Sequence, residues 1–273
     1  MAIDLFCGLG GWTEGLLAEG YDVIGFDLER HVYGDSKYPA QLVLQDVRTL
    51  HGSQFRDAAC IVASPPCTEF SFMAMPWWRA KQIAAALRGQ AEFPSGYRGS
   101  RTITELTALF DACFRIQREA CEAAGRHIPM VVENVRGAQP WVGRAAWHYG
   151  SFYLWGDVPA LMPSTRKCKI TGYSDPRRNG GKCAHLTCQR ENDLRKSGTK
   201  VSGDWLGTYA EQKALGTISP GRLHGKGSSA RKAASAQIAR IPLALSRHIA
   251  RTFKPASVPV SLPPRYIKGH AVV

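Results

Sequence analysis

The stretch AIDLFCGLGGWTEGLLAEG, residues 2–20, decides the fold. A short apolar run, AIDLF, stops at CGLGG, and WTEGLLAEG then has the apolar spacing of a helix closed by Gly20. The chain repeats this theme of strand, turn and helix. YDVIGFD is a second strand ending in an acid, Asp27, and QLVLQDV a third with Asp46 at its end. ACIVASPPC is a fourth, running into paired prolines, and IPMVVENV is a fifth, ending at Glu133 and Asn134. Between the last two, LFDACFRIQREACEAAG reads as a helix in which Cys113 and Cys121 are buried small hydrophobes. Strands alternating with helices predict an α/β, doubly wound, mostly parallel sheet with helices on both faces. In such sheets ligands collect at the carboxyl ends of the strands, and these motifs fall there.

The chain has 273 residues, 44% of them hydrophobic, enough for one large core with a small appendage. Against 22 Asp and Glu stand 35 Lys and Arg, and the net charge of +13 favours a polyanionic partner, nucleic acid first. The opening residues show no charged leader, apolar h-region or cleavage site, and no stretch reaches the apolar length of a membrane span. A cytoplasmic protein without membrane contact is expected. Eight cysteines are too sparse for a disulfide scaffold in a chain of this length.

The character changes after about residue 150. A first domain is expected over 1–150 and a small, basic, loop-rich region over 151–229, where Gly, Ser, Lys and Arg dominate and periodicity fades. ARKAASAQIARIPLALSRHIARTF restores helical spacing, giving a helix over 230–252, and the Pro-rich remainder, 253–273, reads as an extended tail. There is no internal repeat.

The glycine turn lets backbone approach a ligand closely, but GLGG lacks the G-x-G-x-x-G spacing of dinucleotide folds. Asp27, about twenty residues on, is placed to take the hydroxyls of a ribose, and Asp46 to accept from an adenine amino group. Each acid alone could be a loop residue or helix cap; together they suggest an adenosine-containing cofactor. In SPPCTEFS, residues 64–71, the prolines restrict the backbone leading to Cys67, so its thiol is held in position. A lone cysteine is more often inert, but Glu133 leaves the sheet on the same edge and can serve as a proton donor to a thiolate reaction.

DLFCGLGG, SPPCTEFS and VVENV, in this order, resemble the DNA cytosine-C5 methyltransferase family over roughly residues 3 to 150. IARIPLALSRHIA, residues 238–250, is similar to the family's last motif, a helix that packs back on the first domain to complete the cofactor site. The resemblance implies a Rossmann-like methyltransferase fold with S-adenosylmethionine as cofactor, and makes 1–150 the catalytic domain and 151–229 the target-recognition region. Phe6 would pack on adenine, and the backbone of Gly8, Leu9 and Gly10 would line the methionine part. Asp27 would hold the ribose and Asp46 the adenine amino group. Cys67 would attack C6 of a flipped-out cytosine, Glu133 would bond N3 and the exocyclic amine, and Asn134 would position the loop bearing Cys67. Double-stranded DNA would be the partner of a monomeric chain, with room for a cognate restriction enzyme.

The sequence departs from the family in places. After YG, at 149 and 150, the family shows Q-x-R-x-R, where this chain reads SFYLWGD. Tyr153 and Trp155 could stack on a base or pack as core, with core favoured, and Arg98 or Arg101 could replace the missing arginine. The last motif has Ile238 and Ala239 in place of Gly-Asn. Trp77, Trp78 or Arg79 could lie near DNA, or the two tryptophans could anchor an insertion. Cys168, Cys183, His185 and Cys188 are of ligand types that suit zinc, but their layout lacks paired C-x-x-C, and no metal is expected. The alternatives are the same chemistry on RNA or an unusual cytosine substrate, and an inactive DNA-binding relative. A nucleotide-cofactor oxidoreductase is disfavoured by the glycine spacing.

Overall fold

The structure, a computed structural model, describes residues 1–71, 76–92, 102–163 and 229–255. Along the chain these form β1 (Ala2–Leu5), α1 (Gly11–Ala18), β2 (Val23–Asp27), β3 (Val32–Tyr33), β4 (Ser36–Lys37), β5 (Gln41–Leu44) and β6 (Cys60–Ala63). They continue with α2 (Trp77–Leu87), α3 (Ile103–Ala124), β7 (Met130–Asn134), α4 (Gln139–Val142), β8 (Trp147–Tyr149) and β9 (Phe152–Gly156). Two helices follow, α5 (Ser229–Ala239) and α6 (Leu243–Thr252).

Seven strands make one sheet in the order β5-β2-β1-β6-β7-β9-β8, and β3 and β4 pair apart from it. The first five strands are parallel, as expected; β9 runs antiparallel to β7, and β8 antiparallel to β9. Parallel strands covered on both sides need apolar residues facing both ways, and β1, β6 and β7 are buried along their whole length. Ile3, Leu5, Ile61, Ala63, Met130 and Val132 face α3, against Phe110, Cys113 and Ile116. Ala2, Cys60, Val62 and Val131 face α1 and α6, against Trp12, Leu16, Leu245 and Ile249.

The sheet continues past the expected domain boundary at residue 150. Phe152–Gly156 pairs with β7, and Trp155 is core, edge-on to Phe110 at 5.1 Å, with its Nε1–H bonded to Gly143 O. Tyr153 is half-buried and stacks on His148 at 5.0 Å. Cys113 is buried as expected, whereas Cys121 is half-buried, its sulfur accepting from Ile128 N–H. The helix expected over 230–252 is broken in two, because Pro242 removes a donor and starts α6 afresh. α6 packs on α1 so closely that a Cβ on Gly15 would meet Ser246 Oγ at 2.3 Å, and Glu19 pairs with Arg247 and Arg251 along the seam.

Candidate active site

The strand order reverses between β1 and β6: β2 and β5 lie to one side, β7 to the other. That is where a doubly wound sheet opens a crevice, and a cleft of ≈ 550 Å³ lies there. One wall is the turn after β1, with Phe6, Gly8 and Leu9; the ends of β2 and β5 add Asp27 and Asp46. Pro66, Thr68 and Phe70 from the loop after β6 form another wall. Leu106 and Leu109 of α3 and Arg240 and Ile241 between α5 and α6 close it.

The glycine turn is built by unusual backbone. Phe6 has φ 57°, the left-handed region in a non-glycine residue, and Gly8 and Gly10 follow at 51° and 79°. This arrangement leaves the Phe6 ring half-exposed on the cleft and aims Gly8 N–H at Asp27 Oδ2, 2.9 Å away. Asp27 Oδ1 accepts from Leu28 N–H at 2.8 Å, so both oxygens have a donor while the side chain stays on the cleft wall. Gly10 does not line the cleft; its N–H closes the turn onto Cys7 O at 2.7 Å.

Asp46 is more engaged than expected. It caps the 3₁₀ turn that follows it, and Arg48 grips both carboxylate oxygens at 2.6 to 3.1 Å; those side-chain bonds, then the bond from Arg48 N–H, hold its carboxyl below the usual range. An adenine amino group would share this carboxylate with Arg48, which also lines the cleft. The D-x-R spacing is the only sequence signal for that pair. Arg240, ion-paired with Glu14, was not foreseen either; it lines the cleft beside the position where the family motif lacks its Gly-Asn.

Cys67, Glu133 and Asn134 lie off the cleft wall, on the neighbouring ends of β6 and β7, where Ala63 pairs with Val132. Asn134, almost fully buried, donates from Nδ2 to Pro65 O at 2.9 Å, while its Oδ1 accepts from Val135 N–H at 2.8 Å. Glu133 is buried beside it and Cys67 is half-buried. The turn after β7 presses on the same loop: a Cβ on Gly137 would meet Phe70 O at 2.0 Å. Cys67 O accepts from Phe70 and Ser71 N–H, and Ser64 Oγ accepts from Trp12 Nε1–H at 2.9 Å. The loop carrying the thiol is thus tied at both ends and from below.

Arg79 is buried, 1% exposed and 3.9 Å from Glu69 of the Cys67 loop, so it anchors α2 from inside instead of reaching outward, whereas Trp78 is exposed. Arg98, Arg101, Cys168, Cys183, His185 and Cys188 lie outside the described residues. Among the described residues there is no group of three or more metal-ligating side chains, and no helix is long and apolar enough to cross a membrane.

The sheet and its helices define a doubly wound, mostly parallel α/β fold. Residues 1–75 match the family model of the C-5 cytosine-specific DNA methylase, and that stretch holds two of the three motifs, DLFCGLGG and SPPCTEFS. No curated protein matches the chain. A solved structure of a proposed DNA modification methyltransferase encoded within a prophage (E. coli) is 20% identical, with a TM-score of 0.31. The match covers 50% of this chain and 32% of that one.

Proposed function

We propose that the protein transfers a methyl group from S-adenosylmethionine to C5 of cytosine in double-stranded DNA, through a covalent adduct with Cys67. The observation that carries this reading is one cleft bounded both by the glycine turn and by the loop that holds Cys67. The residues fit a nucleoside cofactor: a half-exposed aromatic ring at Phe6, a carboxylate at Asp27 and close-approach backbone at Gly8 and Leu9. Bound there, the cofactor supplies an electrophilic methyl group on its sulfonium.

Cytosine C5 is a poor nucleophile by itself. Addition of the Cys67 thiolate at C6, with Glu133 holding a proton on N3, places electron density on C5. After transfer, loss of the C5 proton to a base breaks the C6–S bond and restores the ring. Asn134, bonded to Pro65, keeps the thiol where the ring must arrive, so part of the orientational cost is met before binding. C6 is hidden in a stacked duplex, so the base must leave the helix first.

Transfer of labelled methyl groups to duplex DNA, read by base-resolution detection of 5-methylcytosine, tests this. Cys67→Ala should abolish transfer and leave DNA binding largely intact. Duplex containing 5-fluorocytosine should trap wild type covalently, and an untrapped, folded protein that still methylates would overturn the covalent route.

A further inference from the structure

Beneath the glycine turn lies a buried acid that the proposed chemistry does not use. Asp4, in β1, is fully enclosed. Its Oδ2 accepts from Thr13 Oγ1–H at 2.6 Å. That uses the single hydroxyl hydrogen of Thr13, so Tyr38, at 2.7 Å, donates to the Thr13 oxygen. All three side chains are buried. Two glycines make room for the Tyr38 segment: a Cβ on Gly25 would meet the Tyr38 hydroxyl at 2.3 Å, and one on Gly10 would meet Pro39 Cδ at 2.5 Å. The relay therefore joins β1, α1 and the segment before β5 directly under the turn whose residues line the cleft.

Asp4 Oδ1 is buried and has no hydrogen-bond partner among the described residues. An ionised carboxylate there is a buried charge with one oxygen unserved, which the neutral acid avoids. Burial pushes the Asp4 carboxyl up to about 7; the Thr13 bond opposes that rise and the charge of Asp27 adds to it. The titratable groups facing Asp4 are Asp27, which has His31 3.5 Å away, the Cys7 thiol and the Tyr38 phenol. Burial raises the last two above their ordinary values, so they stay neutral.

We propose that Asp4 is a positioning residue for cofactor binding: in its neutral form, acting through Thr13 and Tyr38, it holds the Phe6–Gly10 turn in the shape that receives the nucleoside. This rests on reading the cleft as the cofactor site. The sign follows from the chemistry. Below pH 7 the acid is neutral and the turn is held; above it, ionisation requires donors that Oδ1 lacks, the turn shifts and affinity falls.

The test is calorimetric binding of S-adenosylhomocysteine, which carries no sulfonium charge, to the full chain and to Asp4→Asn from pH 6 to 8.5. Asn keeps the acceptor for Thr13 and cannot ionise, and the ligand's own titration is common to both proteins. Wild type should lose about three- to tenfold in affinity relative to the variant across that range. At pH 6 the two should bind alike. A wild-type-to-variant ratio that stays constant, or that rises with pH, overturns the proposal. Should Asp4→Asn fail to fold, Thr13→Val cuts the same relay: affinity should fall about tenfold at pH 6 while kcat at saturating cofactor is kept, and unchanged affinity overturns the proposal. Absence of binding by wild type at every pH overturns the cofactor reading of the cleft, and this proposal with it.

Discussion

Asn134 uses both halves of its amide on backbone, donating to Pro65 O and accepting from Val135 N–H. Replacing it by Ala leaves a buried carbonyl on the Cys67 loop without its donor, a loss on the order of 1–3 kcal/mol. Because the lost contact positions the thiol and does not touch the cleft, kcat should fall by about 10- to 100-fold while cofactor affinity stays near wild type. Equal losses in both would show that Asn134 supports the fold as a whole. The role of Asn134 was implied only by the family resemblance, but the fixed backbone before Cys67 was legible in the sequence, because the constraint of paired prolines is local. Arg79 and Arg48 were not. An arginine is expected outside, and nothing near Arg79 in sequence says that its guanidinium turns inward toward Glu69. The Asp46–Arg48 grip depends on a turn whose geometry the residue types alone leave open.

The same division holds for elements. β1, β6 and β7 announced themselves because complete burial demands continuous apolar runs, and Thr102, whose hydroxyl accepts from Glu105 N–H, starts α3 in the way its side chain favours. The β8–β9 hairpin was missed because the change in composition near residue 150 masks the alternation of WHYGSFYLW, and the break at Pro242 because flanking helical spacing hid it. That α6 packs back on the first domain was implied by the family resemblance, but its seam with α1 was not legible, since it depends on which glycines face which backbone. It gives a test in which two effects oppose each other. Gly15→Ala adds helix propensity worth about 1 kcal/mol. Its Cβ would also lie 2.5 Å from Arg247 N and from Ser246 C, and backbone cannot rotate away as a side chain can. Overpacking of this kind typically costs about 1–3 kcal/mol, so the clash should win. Thermal denaturation should show a lower Tm, by roughly 2–4 °C for each kcal/mol. Since Ile241, just before α6, lines the cleft, cofactor affinity should drop as well. A more stable Gly15→Ala protein would mean that the two helices are not in this contact.

At the scale of the whole molecule, charge and cleft divide the work. The described cleft holds acids suited to a nucleoside, whereas residues 164–228 carry more than half of the net charge of +13. On the described side, Arg136 is exposed just beyond β7, whose end carries Glu133. A protein so distributed should attract DNA through phosphate neutralisation, which releases condensed counterions. The logarithm of duplex affinity should therefore fall linearly with the logarithm of salt, losing about 0.9 in slope for each phosphate neutralised. Engagement of about six phosphates would cost on the order of 10³ in affinity between 50 and 200 mM salt. The proposed cofactor, which the cleft would hold by hydrogen bonds and stacking, should bind with little salt dependence over the same range. Fluorescence anisotropy of labelled duplex and calorimetry of S-adenosylhomocysteine, run on one salt series, separate the two. A flat response for DNA would remove the electrostatic role of the basic region, and a cofactor affinity that fell as steeply as that of DNA would mean that the two ligands do not occupy the separate surfaces assigned to them.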